Sequence, residues 1–467
     1  MSKPVRLAVQ DGLITPEVRV LDFGCGHGED IRQLGEIGVH VEGWDPVHRP
    51  HGQRTPSHVV NLGYVLNVIE SPEERADVIR ECWQLTERVL IVSARCTLED
   101  GPEEGAGTFG DGYVTRLGSF QKFYEQSELR QWIQEVLGQD PLPMAPGIFL
   151  VFRDESVRET WRAQRFRRKL ALPRVSTRLR LFQEHKVLLE SVMAFFTERG
   201  RLPQEDEFPL IDDLRAHFGS FPKAFQVIRS VTGHEPWADI QTDRRLDLLV
   251  WLALTRFHMR PQFTTLPIFL QRDIKALFSA YTRACEEADN LLMSIGKIEV
   301  REEAISKSPF GKLMPKGLYV HIDHLDELPP VLRLYEGCAR AFVGGVSGAN
   351  LIKFHRDGAQ VSYLTYEDFD RNPHPELLDS VVVSLDGRKI RRRNYKDHTN
   401  RFILHRKETF IPTSASRWET YHRLTAQEEK WGLYADPSAI GTQAGWQRVL
   451  NETGCHLVGH RLVRSTR

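Results

Sequence analysis

No stretch of this chain is apolar for long enough to cross a bilayer. The longest clean run, LLVWLAL at 248–254, falls far short of the ~20 residues that a membrane helix needs. Cysteine is scarce too: six in 467 residues, at 25, 82, 96, 285, 338 and 455, with no CxxC pair among them. That scatter argues against both a disulfide framework and a zinc ribbon. The first residues, MSKPVRLAVQDG, turn polar too soon for a signal peptide. A cytoplasmic location, with no membrane partner, is the expectation. Kinase, helicase, nuclease and protease motifs are absent as well. His321, Asp323 and His324 are metal ligands by type, but on a strand 321 and 323 face one way and 324 the other, so no metal is expected.

What is present is ordinary globular composition, with 41% hydrophobic and 27% charged residues, enough for two to four domains. The net charge of −1 hides a division. Residues 1–155 hold 14 basic and 25 acidic groups; the remainder holds 48 basic and 38 acidic. A net of −11 against +10 is the asymmetry expected of a catalytic part joined to a polyanion-binding part.

VRVLDFGCGHGEDIRQL (18–34) reads as a buried strand, a glycine turn and a helix. Gly24, Gly26 and Gly28 let backbone approach a ligand where any β-carbon would intrude. A glycine turn alone does not separate dinucleotides from S-adenosylmethionine (SAM). Asp22, just before the glycines, matches the D/E-x-G-x-G motif of class I methyltransferases and favours SAM. Asp45, ending the next strand VHVEGWD (39–45), is placed for ribose hydroxyls. An apolar strand and its exit at 57–69, a strand at 88–94, a helix at 71–85 opened by Ser71, Pro72 and Glu74, a helix at 119–138 and a strand at 147–154 complete an α/β pattern. The expected fold is a Rossmann-like doubly wound sheet with its ligand at the carboxyl ends of the strands.

Methyl transfer requires above all that the acceptor be held in line. Asn61-Leu62-Gly63-Tyr64 is a loose relative of the D/N-P-P-Y/F motif of amine-directed DNA methyltransferases, lacking both prolines. On that likeness Asn61 orients an amine and Tyr64 stacks on an extruded base. Cofactor contact by Asn61 and plain packing by Tyr64 stand equally open. His48 and Arg49 fall near the cofactor edge. Lys122 and Tyr124 either cover the site or pack a helix.

Residues 158–180 carry nine Arg/Lys and one acid. Arg165, Arg167, Arg168 and Lys169 at their centre are candidate phosphate contacts. A second basic run, 388–396, holds Arg391, Arg392 and Arg393 and is read the same way. Between them, 185–233 is helical and resembles small helical repeats attached to some homing endonucleases, on GRLP (200–203) and FGS (218–220). The implied division is a methyltransferase domain at 1–155, a basic helical domain at 156–305 and a mixed α/β domain at 306–467. GLYVHIDHL, ARAFVGG, LIKFHR, QVSYLTY and SVVVSLD are the expected strands of the last, with a helix near 419–434.

Longer segments carry a more specific likeness. VLDFGCGHGED, GWDPVHRP, VVNLGYVLNVIE, FQKFYEQSELR, YVHIDHLDELPPVLRLYEGCARA and GANLIKFHRDGAQVSYLTYEDFDRNPHPEL resemble the methyltransferases associated with DNA phosphorothioation, over about residues 4–434. The resemblance implies a SAM-dependent enzyme that works beside a DNA phosphorothioation system, with proteins of that system as partners. Asp22, Gly24, Gly26, Gly28 and Asp45 fall in its cofactor segment. The expected function is methylation of nucleic acid, DNA before RNA. An RNA methyltransferase and a non-catalytic DNA-binding accessory with a degenerate SAM fold are the alternatives.

Overall fold

The computed structural model describes residues 1–98, 101, 107–115, 118–165 and 180–464. These form two compact units. One joins Met1–Asp154 to Arg301–Leu328 and Tyr335–Arg467; the other is Glu155–Val300 with Pro329–Leu334.

The first unit opens with a six-stranded sheet. In chain order come β1 (Arg19–Phe23), α1 (Glu29–Glu36), β2 (His40–Trp44), β3 (Ser57–Gly63), α2 (Pro72–Leu85) and β4 (Thr86–Ser93). After β4 follow a small three-stranded arm, β5 (Gly107–Phe109), β6 (Gly112–Val114) and β7 (Phe120–Gln121), then α3 (Gln126–Leu137), β8 (Leu142–Ala145) and β9 (Ile148–Phe152). The sheet runs β2-β1-β3-β4-β9-β8, with β1 to β4 parallel and β9 antiparallel to β4. Strands β1, β3, β4 and β9 are largely buried, as expected of the inner strands of such a sheet, whereas β2 at the edge is mostly not. Leu21, Phe23, Val60, Leu62, Leu90 and Val92 are all buried in one core. Strand order reverses at β1, between β2 and β3, and in such sheets ligands bind at this switch point beyond the carboxyl ends. Ser71 caps α2, its Oγ accepting from Glu74 N at 3.2 Å.

The helix expected at 119–138 begins only at Gln126. Phe120 and Gln121 instead pair with β6, and an ionic network of buried cations and half-exposed carboxylates explains why. Arg75 of α2 and Lys122 both reach Asp111 of the arm, at 2.7 and 2.8 Å, and Lys122 also reaches Glu128 at 2.7 Å. Folding 119–125 into helix would withdraw Lys122 from these carboxylates.

The same unit contains a second sheet, fully antiparallel, in the order β10 (Lys312–Met314), β11 (Gly317–His321), β12 (Leu351–His355), β13 (Gln360–Tyr366), β14 (Leu377–Ser384) and β15 (Lys389–Asn394). One expected strand is a correction: ARAFVGG (339–345) closes a helix, Pro330–Val343, whose apolar positions recur at helical spacing. β15, read from sequence only as a basic run, is the open edge of the sheet. Arginine and lysine on such an edge discourage pairing with other chains. The helix near 419–434 is present as Trp418–Lys430.

The second unit is helical and contains an internal duplication that the sequence reading missed. Its two halves are α4 (Lys186–Arg199), α5 (Ile211–Phe218) and α6 (Phe221–Thr232), then α7 (Glu235–Leu254), α8 (Ile268–Phe278) and α9 (Tyr281–Ser294). Buried Leu214, Phe218, Ala224 and Ile228 correspond to buried Ile274, Phe278, Ala284 and Ala288. Between the second and third helices of each half one residue turns left-handed: Gly219 at φ 76° and Ser279 at φ 68°.

Candidate cofactor and acceptor site

β1 and β3 lie side by side with Asp22 in register with Asn61. Asn61 Nδ2 donates to Asp22 Oδ1 at 2.8 Å, and both residues are buried. Burial pushes the Asp22 carboxyl up to about 7; the Asn61 hydrogen bond opposes this, while Asp30 and Asp45 add to it. Among the described residues Asn61 Oδ1 is buried without a hydrogen-bond partner.

The loop after β1 takes the conformation that its glycines allow. Gly24, Gly26 and Gly28 have φ of 79°, 51° and 81°, a region that costs other residues ~1 kcal/mol or more. A β-carbon on Gly24 would lie 2.3 Å from Val65 Cγ2, and one on Gly28 would lie 2.9 Å from Arg49 Nη2. Space above Gly26 is open for 4 Å. The loop therefore sits between Val65 and Arg49, with an uncovered backbone in the middle. The His27 and His48 rings meet beside it, tilted by 42° with centroids 4.1 Å apart. Val65 escaped the sequence reading because its contact with Gly24 is made only once β1 and β3 pair.

Asp45 follows β2 and organises the loop edge. Its Oδ2 accepts from Gly26 N at 3.0 Å, and its Oδ1 from Val47 N at 2.9 Å and His48 N at 2.8 Å. Partial burial raises its carboxyl, but the three amide bonds more than offset this and hold it below the usual range. A carboxylate offers about four lone-pair sites. With three used, Oδ2 keeps one acceptor position.

Tyr64 immediately follows β3 with φ 60°, and its N donates to Ser93 O at 3.0 Å. A bulky residue in this region is uncommon, and such strain collects at functional sites. Lys122 and Tyr124 are buried in the network that holds the β5–β7 arm, with Arg75 donating to Tyr124 OH at 3.0 Å. His321 Nδ1 accepts from Asp323 N at 3.3 Å, whereas His324 Nδ1 pairs with Glu327 at 2.6 Å.

The two basic runs differ. Arg165 ends the helix Glu155–Arg165, and Arg167, Arg168 and Lys169 lie outside the described residues. Along β15, alternation separates neighbours. Arg392 turns inward, donating to Asp379 Oδ2 at 2.8 Å and to Leu98 O, beyond β4, at 2.6 Å. Arg391 and Arg393 are exposed.

Residues 5–94, from before β1 to the end of β4, match a family described as a methyltransferase domain. This part is a methyltransferase domain. Its methyl donor is SAM, and the chain is a SAM-dependent methyltransferase. Left-handed glycines, an ionised Asp45 with one acceptor position remaining and open space above Gly26 fit that nucleoside. The domain is also similar to a 1,6-didemethyltoxoflavin-N1-methyltransferase of Burkholderia thailandensis, solved with S-adenosylhomocysteine: 14% identity, 32% of this chain, 75% of that chain, TM-score 0.24. A sugar N-methyltransferase of Streptoalloteichus gives 14%, 32%, 85% and 0.26. The CcbJ methyltransferase of Streptomyces caelestis gives 14%, 32%, 89% and 0.25. No curated protein matches the chain.

Proposed function

We propose that this enzyme transfers the methyl group of SAM to nucleic acid, with a DNA base as acceptor, in a modification system linked to DNA phosphorothioation. The observation that carries this reading is the hydrogen bond from Arg392 to Leu98 O. It ties a cationic strand to the chain just beyond β4, on the carboxyl edge of the sheet where the ligand of such folds binds. The charge division and the long resemblance support the same polymer.

SAM supplies a methyl group activated on a sulfonium. The bare backbone at Gly26 and the remaining lone pair of Asp45 would hold its nucleoside, while Asp22, held by Asn61, stiffens the base of the loop. Asn61 Oδ1, left over once Nδ2 is committed to Asp22, is an acceptor for an N–H of a bound group. Tyr64, at the mouth of β3, offers a ring on which a flat acceptor can stack.

The test is transfer of labelled methyl from SAM to DNA and to RNA of the host, followed by nucleoside mass spectrometry. Label in a DNA nucleoside is the expected result. Label confined to RNA would move the acceptor to that polymer, and label in neither would leave the binding reading without its chemistry.

A further inference from the structure

Register across the second sheet brings its scattered cations to one face. Tyr319 of β11 is opposite Lys353 of β12, Lys353 opposite Ser362, Ser362 opposite Val382, and Val382 opposite Arg391 of β15. Directly opposed residues share a face. By the two-residue alternation of strands, Lys389 and Arg393 share it too. Between β11 and β15 no position on this face carries a carboxylate. Asp379, the acid within β14, points the other way and is taken by Arg392. Asp357 and Asp386 lie in the turns at the strand ends.

The pairing habits of these cations set them apart. Many described arginines meet a carboxylate, as Arg75 does Asp111, Arg201 does Asp273 and Arg356 does Glu302. Lys353, Lys389, Arg391 and Arg393 meet none among the described residues. Lys353 rests 5.3 Å from the centre of the Tyr319 ring. Burial and then the nearby Lys316 press its ammonium below the usual lysine range, with Asp357 opposing. Like charges gathered without a counter-charge cost free energy in the isolated fold. An incoming anion would remove that cost.

We propose that this face, through Lys353, Lys389, Arg391 and Arg393, is a seat for the phosphate backbone of nucleic acid. The proposal rests on the reading of nucleic acid as acceptor and deepens it by assigning where the polymer is held. From β12 to β15 the cations spread over three strand spacings, about 14 Å, broad enough for more than one backbone phosphate. Contacts of this kind position the polymer and read no sequence.

The experiment uses the full chain and two labelled oligonucleotides, one single-stranded and one duplex, followed by fluorescence anisotropy between 50 and 200 mM salt, roughly the range over which phosphate contacts dominate. Each phosphate contact contributes about 0.7–0.9 to the slope of log affinity against log salt. Replacing all four cations with Gln should lower that slope by about 2.8–3.6 and weaken binding at least about tenfold at 100 mM salt. A control variant, Arg19→Gln with Arg80→Gln, two exposed arginines of the acidic first part of the chain, should keep the slope. Arg391→Gln and Arg393→Gln, exposed on the edge strand, serve singly should the quadruple variant fail to fold, each expected to lower the slope by about 0.7–0.9.

An unchanged slope in these variants overturns the proposal, as does wild-type protein that binds neither oligonucleotide. Adsorption to vesicles rich in phosphatidylserine without oligonucleotide binding overturns it as well. Methyl transfer is read separately. Slope loss without any transfer sustains the seat and removes the acceptor reading, whereas transfer with an unchanged slope does the reverse.

Discussion

The carboxylate of Asp22 and the side-chain amide of Asn61 face each other at 2.8 Å across two parallel strands, in the same register row. Among the described residues neither side chain makes a second side-chain hydrogen bond, and Asn61 Oδ1 is buried without a partner. Asp22→Ala would strand the amide Nδ2 as well. The expected cost is about 2 kcal/mol of unfolding free energy, the penalty for a buried donor left unpaired, together with weaker SAM binding. Asp22→Asn, which retains an acceptor oxygen, should lose less. Denaturant unfolding and calorimetry with SAM check both, and Asp22→Ala with wild-type stability would contradict the buried pair.

Protonation of the same carboxyl gives stability a pH dependence of known sign. Its folded value of about 7 lies above the ordinary 3.8. Between these values the folded state holds a proton that the unfolded state has released, so stability falls as pH rises from about 4 to about 7. A shift of this size corresponds to something on the order of 4 kcal/mol. Asp22→Asn removes the titration, and its stability profile over that window should be flatter than that of the wild type. Parallel profiles would show that Asp22 is not the group responsible.

Asp45 makes a different prediction, because its carboxylate is held ionised by amides rather than neutralised by burial. Asp45→Ala releases Gly26 N, Val47 N and His48 N together and removes the acceptor left for a ribose hydroxyl. SAM affinity should drop at least about tenfold, equivalent to about 1.4 kcal/mol. Asp45→Asn keeps one acceptor oxygen and should fall between. Calorimetry that returned wild-type affinity for both Asp45→Ala and Asp22→Ala would end the account of this loop as the cofactor cradle.

Tyr64 separates stability from function. Its φ of 60° costs a side chain ~1 kcal/mol relative to glycine. Tyr64→Gly should therefore unfold at no lower denaturant concentration than the wild type while losing methyl transfer, and SAM affinity should persist. Tyr64→Phe, which keeps the ring, should retain transfer. Were Tyr64→Gly fully active, the stacking role would be gone.

The glycine turn was legible because its physics is local. Glycines at 24, 26 and 28 report a left-handed backbone directly, and a strand ending in an acid places that acid at the sheet edge. What the sequence could not show depends on partners distant in the chain. Lys122 meets Asp111 and Glu128 rather than a cleft, so 119–125 is not helix. Arg392 meets Leu98 across nearly three hundred residues and is thereby separated from Arg391 and Arg393, which the raw run presents as alike. ARAFVGG suits a strand or a helix by composition, and only its packing decides.

The duplicated helical unit offers the last prediction, since its two halves solve one turn with different residues. Gly219 and Ser279 both end a helix in the left-handed region, at φ 76° and 68°. Glycine adopts that conformation freely, whereas serine is strained by ~1 kcal/mol. Gly219→Ala should then destabilise: its β-carbon meets nothing closer than Lys223 Nζ at 3.9 Å, so the loss of about 1 kcal/mol would come from backbone strain alone. Ser279→Gly should change stability in the opposite sense, by about 0.5 kcal/mol, because relief of strain is partly cancelled by the greater entropy of glycine in the unfolded chain. Urea unfolding of the two variants measures both signs. Equal effects of the same sign would mean that the halves are not equivalent at this turn, and the duplication would lose its strongest support.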